Sequence, residues 1–243
     1  MKVVVVGGTG QTGRLLIEAL RDRGHEAVPT ARSTGVDAFT GDGLDAALAG
    51  ADVVVDVTNP STWDEGGATE FFRVTSENLR AAGRRAGVRN HVVLSIVGLE
   101  RAADLAYYRA KLAQEAAVRA GGPGHTIVRA TQFFEFFGPL VQANTDGDEV
   151  RLAPTRVQPI ALADLVAILV EIAEAGPADG TVEVAGPQVL TVDEIGRALA
   201  APGQRVTGDG KPFSGADIPL DALVAGPSAR LGTTTFAAWR AAA

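Results

Sequence analysis

The sequence contains no cysteine among its 243 residues. Disulfide bonds and thiolate-bound metals are therefore excluded. The three histidines, His25, His91 and His125, lie far apart in the chain and lack the short spacing of a histidine metal site. We expect no metal centre in this protein.

The sequence also lacks a basic cluster and a long apolar run. Its net charge is -7, and its 22 lysine and arginine residues are spread along the chain, which argues against a surface for nucleic acid. No stretch approaches the ~18 apolar residues of a membrane span, and the first residues lack the pattern of a secretory signal. We expect a cytoplasmic protein that acts on a small molecule, without a membrane or nucleic-acid partner. The sequence leaves the oligomeric state open.

Short valine-rich runs alternate with longer stretches rich in alanine, leucine and arginine, a pattern typical of a parallel sheet buried on both faces. We predict strands over 2–6, 26–31, 36–40, 52–57, 91–96 and 126–130, and helices over 12–23, 44–49, 68–86 and 104–120. These units predict an α/β fold with a doubly wound, Rossmann-like parallel sheet over residues 1–131. Residues 132–243 are predicted to form mainly a small C-terminal substrate lobe, with some elements returning to the core in one compact unit.

The first predicted strand ends in the glycine-rich stretch GGTGQTG. Gly7, Gly10 and Gly13 give the spacing GxxGxxG, whereas Gly8, Gly10 and Gly13 give GxGxxG. Either spacing allows a tight strand-to-helix turn, in which backbone N–H groups approach a pyrophosphate at the helix N-terminus. The alternative is a purely structural turn. The predicted phosphate-binding residues are Gly7, Gly10, Gln11, Thr12 and Gly13.

Two further residues are candidates for binding the dinucleotide. NAD-selective sites carry an acidic residue at the end of the second strand, where this sequence has Arg32. A guanidinium pairs with a 2′-phosphate, so Arg32 predicts NADP(H) as the cofactor. A solvated surface arginine is the alternative. Asp42, in the GDG stretch, is predicted to contact the adenine amino group or to be a simple turn residue.

The candidate catalytic residues lie in the second half of the predicted core. Tyr107 and Lys111, in YYRAKLAQE, are four residues apart and share one face of a helix. A nearby ammonium favours the phenolate, which lets the tyrosine exchange a proton with a carbonyl oxygen near neutral pH. Lys111 is also a candidate for binding the nicotinamide ribose. Ser95 ends the predicted strand HVVLSI and either orients a substrate carbonyl or is an ordinary turn residue.

These segments resemble a known family. The GGTGQTG turn, Arg32, NLRAAGRRAGVRNHVVLSIVG, YYRAKLAQE and HTIVRATQFFEF are similar to atypical short-chain dehydrogenases/reductases of the NmrA-like group, which includes bacterial NAD(P)H-quinone reductases. The resemblance implies NADP(H) bound at the turn and at Arg32, and a catalytic set of Ser95, Tyr107 and Lys111. It also implies that Thr58 and Asn59 contact the cofactor, whereas the residues by themselves favour a role as turn formers. Ile96 and Val97 depart from the pattern, since relatives often have a second small polar residue there.

The segment TQFFEFFG contains four of the nine phenylalanines, at Phe133, Phe134, Phe136 and Phe137. The resemblance implies that this segment walls the nicotinamide and the substrate, and we predict Phe133, Phe134 and Phe137 as the pocket residues. The alternative is that the aromatic cluster belongs to the hydrophobic core. If it lines a pocket, the substrate is apolar or aromatic.

The sequence therefore predicts an NADPH-dependent reductase of a carbonyl or quinone, in which Tyr107 handles the proton. Two alternatives stay open. One is an NADP(H) sensor that presents its lobe to a partner protein, because some relatives that have lost the tyrosine serve as redox sensors. The other is an isomerase or epimerase, which would show no net consumption of NADPH.

Overall fold

A computed structural model of the chain describes residues 1–60, 64–208, 213 and 216–242, without the side chain at 65. Its helices are α1 (Gln11–Asp22), α2 (Leu44–Leu48), α3 (Glu65–Ala86), α4 (Ala106–Arg119), α5 (Phe134–Ala143), α6 (Leu162–Ala175), α7 (Val192–Leu199) and α8 (Phe236–Ala242). Its strands are β1 (Lys2–Val6), β2 (Glu26–Thr30), β3 (Val53–Asp56), β4 (Asn90–Ile96), β5 (Gly124–Ala130), β6 (Thr145–Asp146), β7 (Glu149–Arg151), β8 (Arg156–Val157), β9 (Gly180–Ala185), β10 (Leu190–Thr191), β11 (Arg205–Thr207) and β12 (Arg230–Leu231).

Seven strands form one sheet in the order β12-β9-β5-β4-β3-β1-β2. The pairs of β1 with β2, β1 with β3, β3 with β4 and β9 with β12 are parallel. The later strands also form two small sheets, β10-β8 and β11-β7-β6. The predicted fold class, an α/β Rossmann-like fold with a parallel sheet and smaller C-terminal elements, is confirmed.

The valine runs explain why the central strands form. Val3, Val4 and Val5 of β1 are fully buried, and all four residues of β3 are buried as well. β-branched side chains favour extended backbone, and a parallel sheet covered on both faces requires apolar residues in nearly every position of a central strand. On one face, Val4 and Val54 pack against α2 and α3 within a cluster of buried side chains. The central strands are therefore continuous apolar runs, as the sequence predicts.

One predicted strand, over residues 36–40, is wrong. The carboxylate of Asp37 accepts hydrogen bonds from the backbone N–H groups of Phe39 at 2.8 Å and Thr40 at 3.4 Å, and its own N–H donates to the carbonyl of Asp42. Aspartate offers the backbone such local partners in place of a strand ladder. The chain therefore turns here, and β2 forms the edge of the sheet.

The chain divides into two compact units. The first contains residues 1–95, 109–129 and 166–182, and the second contains residues 96–108, 130–165 and 183–243. No helix of the described ranges is long and apolar enough to cross a membrane.

The first unit carries a buried histidine on β4. His91 is only 3% exposed, and its Nε2 atom has no hydrogen-bond partner among the residues that the structure describes. Burial lowers the pKa of His91 below its usual value of 6.5; the charge of Asp56 opposes this shift and His125 adds to it. The folded protein therefore keeps His91 neutral at a pH where the unfolded chain is protonated.

We predict that the protein loses stability as the pH falls below 6.5, because the unfolded chain then binds a proton that folded His91 resists. One such proton changes the free energy of unfolding by up to about 1.4 kcal/mol per pH unit. Urea unfolding of the wild type and of His91→Leu, from about pH 7.5 to about pH 5.5, measures the effect. If the difference in stability between the two proteins stays constant over this range, His91 is not the source.

Candidate functional site

The turn between β1 and α1 is shaped by backbone contacts that exclude side chains. Gly7 has a φ of +82°, in the left-handed region that glycine adopts without strain. A Cβ atom at Gly8 would lie 2.8 Å from the Cα atom of Pro29 in β2, and a Cβ atom at Gly13 would clash with the carbonyl oxygen of Gly7. These three glycines are therefore required by the packing of the turn itself.

Gly10 is different, because the space beside its Cα atom is open. Among the residues that the structure describes, a Cβ atom there would meet only the carbonyl oxygen of Gly7, at 3.3 Å. Gly10 is also the N-cap of α1 and provides no side-chain cap. The first N–H groups of a helix have no partner within it, and their partial positive charge favours an anion. The open position at Gly10 and the uncapped helix, which begins with Gln11 and Thr12, therefore fit a dinucleotide pyrophosphate.

A cleft of about 780 Å³ lies along this turn in the first unit. Five of the predicted cofactor residues lie in its wall: Gly7, Gly10, Arg32, Thr58 and Asn59. Asp42 is outside the wall, where its Oδ2 atom accepts a hydrogen bond from Thr40 Oγ1 at 2.8 Å. The cleft has the size of sites that hold cofactors and other small ligands.

Other residues of the cleft wall were not predicted as site residues from the sequence, among them Asp37, Phe39, Glu70 and Phe71. The rings of Phe39 and Phe71 are stacked, with their centroids 6.0 Å apart and an interplanar angle of 10°. Phe39 is 37% exposed, although it is a large apolar residue. The sequence held no local signal for this pair, because the two rings come from segments 32 residues apart.

Lys111 is almost completely buried, with 3% of its surface exposed. Its ammonium donates a hydrogen bond to the carbonyl oxygen of Leu94 at 2.7 Å and another to Gln114 Oε1. It also lies 4.4 Å from the centroid of the Phe72 ring. Burial lowers the pKa of Lys111 to about 8, against the opposing effect of the carboxylates of Asp56 and Glu115. The lysine is held in one place by three groups and remains largely charged at neutral pH.

Ser95 is also buried, at 2% exposure, and its hydroxyl donates to Glu115 Oε1 at 2.6 Å. Glu115 forms a two-point ion pair with Arg129, at 2.8 and 2.7 Å, and a further ion pair with Arg119 at 3.0 Å. These partners lower the pKa of Glu115 in spite of its burial, which by itself would raise it. The Ser95 hydroxyl is thus bound to a buried carboxylate that is itself paired with arginine.

The two tyrosines lie in the first turn of α4, with Lys111 in the next turn, so the predicted helix is confirmed. Tyr107 is half-buried, whereas Tyr108 is 6% exposed. The Tyr108 hydroxyl accepts a hydrogen bond from Gln132 Nε2 at 3.1 Å, and burial raises the pKa of its phenol. Tyr108 is therefore an internal residue of the second unit and stays protonated.

Within the second unit, the predicted pocket phenylalanines have different environments. Phe134 and Phe137 are each 1% exposed, and Phe134 packs against Phe236 and Trp239 at centroid distances of 5.5 and 5.3 Å. Phe133 is half-buried and precedes α5 as its N-cap residue. Phe136 is 40% exposed. Phe134 and Phe137 thus pack in the interior of the unit, and a substrate role for all three predicted residues stays a prediction.

The residues that build this site fall within a known sequence family. The sequence profile of a family described as NAD(P)H-binding matches residues 7–174. The chain belongs to this NAD(P)H-binding family. The matched range contains the glycine turn, nearly the whole wall of the cleft and Lys111.

Curated relatives of this NAD(P)H-binding chain include two plant enzymes. It is 32% identical to the chloroplastic divinyl chlorophyllide a 8-vinyl-reductase of Oryza sativa subsp. indica, over 81% of this chain and 57% of that protein. It is 31% identical to the enzyme of the same name from Zea mays, over 81% of this chain and 58% of that protein. The chain thus spans under two thirds of the length of these relatives.

Solved structures with the same fold include a dTDP-4-dehydrorhamnose reductase from Bacillus anthracis in complex with NADP, with a TM-score of 0.70 and 15% identity over 98% of this chain and 92% of that one. A UDP-N-acetylglucosamine 4-epimerase from Bacillus cereus has a TM-score of 0.68 and 20% identity over 85% of each chain. Both likenesses show the fold alone. The reductase and epimerase activities are stated of those two proteins and not of this chain.

We predict that Gly10→Val abolishes the binding of both NADPH and NADH while the protein stays folded, because the added methyl groups occupy the open space beside the helix N-terminus. Fluorescence titration with each cofactor measures binding, and circular dichroism checks the fold. Gly138→Val in α5 is the matched control, since a Cβ atom there meets no atom of the described residues within 4 Å. Unchanged affinity in Gly10→Val would show that the dinucleotide lies elsewhere.

Proposed function

We propose that the protein is an NADPH-dependent reductase of a small apolar or aromatic carbonyl or quinone. The observation that carries the proposal is the environment of Lys111, a buried ammonium on α4 one helical turn after Tyr107. Burying a charge costs free energy, and lysines with a perturbed pKa are frequent at functional sites. The proposal places the proton chemistry at this pair of residues and assigns the chain to the NmrA-like reductases.

The cofactor residues follow from the cleft. The N–H groups at the start of α1, beside Gly10, bind the pyrophosphate, and Thr58 and Asn59 contact the dinucleotide from the opposite loop. Arg32 lies in the wall of the cleft, where its guanidinium pairs with the 2′-phosphate of NADPH. NADPH supplies a hydride when it is bound.

Tyr107 donates the proton that accompanies reduction. The Lys111 ammonium stabilises the phenolate that remains, which lowers the free-energy cost of the transfer. Ser95 has a supporting part in this proposal, because its hydroxyl is already bound to Glu115 at 2.6 Å. A role in orienting the substrate would require that buried hydrogen bond to break.

The substrate class rests on two observations. Phe133 and Phe136, near the end of β5, retain exposed surface, whereas few charged side chains lie in the same segment. The plant relatives are named as reductases of a vinyl group on a chlorophyllide. A substrate panel for this protein therefore contains quinones, aromatic aldehydes and ketones, and conjugated alkenes.

We predict that Arg32→Ala weakens NADPH binding by roughly 10- to 150-fold and leaves NADH binding nearly unchanged, because a charge-assisted contact contributes ~1.5–3 kcal/mol. Titration with both cofactors measures the two affinities. Arg84→Ala, an exposed arginine in the last turn of α3, is the matched control and should change neither affinity. Equal losses for NADH and NADPH in Arg32→Ala would show that Arg32 does not recognise the phosphate.

We predict that Tyr107→Phe lowers turnover by ~10²–10⁴-fold with little change in NADPH affinity, since the substitution removes only the proton-donating oxygen. NADPH oxidation with the best substrate of the panel measures turnover. Tyr108→Phe is the control: its hydroxyl accepts a partly buried hydrogen bond from Gln132, so its loss should cost stability and not turnover.

Three results would contradict the proposal. Full activity of Tyr107→Phe would place the proton donor elsewhere. A wild-type protein that binds NADPH and reduces nothing in the panel would favour the redox sensor. Conversion of a substrate without net consumption of NADPH would favour an isomerase or epimerase.

A further inference from the structure

A buried chain of hydrogen bonds connects the wall of the cleft to Lys111. Asp56 Oδ1 accepts from the backbone N–H of Thr58 at 2.9 Å and from the Thr58 hydroxyl at 2.7 Å. Asp56 Oδ2 accepts from Gln114 Nε2 at 3.0 Å, and Gln114 Oε1 accepts from the Lys111 ammonium. Thr58 lies in the cleft wall, so the chain runs from the cofactor cleft to α4.

The chemistry of these groups allows one arrangement only. A carboxylate accepts hydrogen bonds and an ammonium donates them, so the amide between the two must present its NH₂ group to Asp56 and its oxygen to Lys111. Asp56 and Gln114 are both 0% exposed, so bulk water does not replace either partner. Reversing the amide would place two donors against each other and leave a carboxylate and a carbonyl in contact.

Two carboxylates act on the Lys111 ammonium, Asp56 from β3 and Glu115 from α4 itself. Glu115 is paired with Arg129 and Arg119, which offset its charge. Asp56 makes no ion pair with an arginine or a lysine within the described part of the chain, and its strong partners are the neutral groups of Thr58 and Gln114. Asp56 is thus the carboxylate without an ion-pair partner that acts on Lys111, and Gln114 joins the two by hydrogen bonds.

We propose that Asp56 and Gln114 are positioning residues that hold the Lys111 ammonium in place and couple it to the Thr58 wall of the cofactor cleft. The proposal rests on the proposed function for the catalytic importance of Lys111, and on the hydrogen-bond chain for the coupling. Occupation of the cleft at Thr58 then changes the electrostatic environment of Lys111 without direct contact. Lys111 and the bound cofactor are thereby coupled electrostatically.

Asp56→Asn provides the first test. The introduced NH₂ group meets a donor on Gln114, or turns Gln114 so that a donor faces Lys111, and the negative charge is lost. The pKa of Lys111 should fall by about 1–3 units, the usual effect of losing an opposite charge nearby. The sequence has only three lysines, Lys2, Lys111 and Lys211, so ¹³C-labelled lysine side chains can be titrated individually by NMR.

A charge exchange provides the second test. In the double variant Asp56→Asn, Gln114→Glu, the new carboxylate accepts from both the introduced asparagine and Lys111, so donors again face acceptors along the chain. The pKa of Lys111 should return at least to its wild-type value. A residue that merely fills space would not give this rescue. Asp45→Asn, an exposed carboxylate that pairs with Arg85, is the matched control and should not shift Lys111.

Gln114→Met tests the proposal even if Asp56→Asn does not fold. This substitution removes the bridging amide and leaves the Asp56 carboxylate in place. Saturating NADPH should shift the Lys111 titration in the wild type and shift it less in Gln114→Met. An unchanged pKa of Lys111 in Asp56→Asn, no rescue in the double variant, or an NADPH-induced shift of Lys111 that is equal in the wild type and in Gln114→Met would overturn the proposal.

The two proposals fail separately. If the pKa of Lys111 changes as expected in the Asp56 and Gln114 variants while Tyr107→Phe keeps full turnover, the positioning role stands and the proposed function falls. If Tyr107→Phe loses turnover as expected while the pKa of Lys111 does not respond to Asp56 or Gln114, the proposed function stands and the positioning role falls.

Discussion

The close approach of backbone to backbone at the first turn is the contact on which the cofactor cleft depends. The Cα atom of Gly13 lies so near the carbonyl oxygen of Gly7 that no side chain fits between them, and Gly8 is comparably close to Pro29 of β2. These contacts bring the start of α1 to the carboxyl end of β1. Because Gly10 gives the helix no side-chain cap, the exposed N–H groups are left for a ligand.

Buried charges form two hydrogen-bond networks at the carboxyl ends of β3 and β4. In one, Glu115 is neutralised by arginine and binds Ser95; in the other, Lys111 is bound by neutral oxygens and an aromatic ring. A buried ion pair contributes little net stability, because its attraction must first offset the loss of hydration. The Glu115 network pairs its carboxylate directly with arginine. The Lys111 network leaves an ammonium with a lowered pKa, linked to the cofactor cleft through the Gln114 amide and the Asp56 carboxylate. This difference is the physical basis for assigning function to Lys111.

The fold alone does not choose a reaction. A reductase and an epimerase have structures with closely similar TM-scores to this chain, 0.70 and 0.68. A shared sheet positions the cofactor, whereas the side chains around it decide which reaction takes place. Reduction is therefore inferred from Tyr107 and Lys111, and the family supports the binding of a nicotinamide dinucleotide.

The sequence by itself determined the features that depend on neighbouring residues. The alternation of valine runs with helices predicted the parallel sheet, the glycines predicted the turn, and the four-residue spacing placed Tyr107 and Lys111 on one helix.

Only the tertiary structure decided the partners that come from distant segments. Asp56 and Gln114 are 58 residues apart, Ser95 and Glu115 are 20 apart, and the Phe39–Phe71 stack joins separate segments. The local hydrogen bonds of Asp37 likewise prevailed over the apparent strand pattern of residues 36–40. Secondary structure follows from local propensity and periodicity. The partner of a buried polar group depends instead on the distant atoms that the packed chain brings within about 3 Å of it.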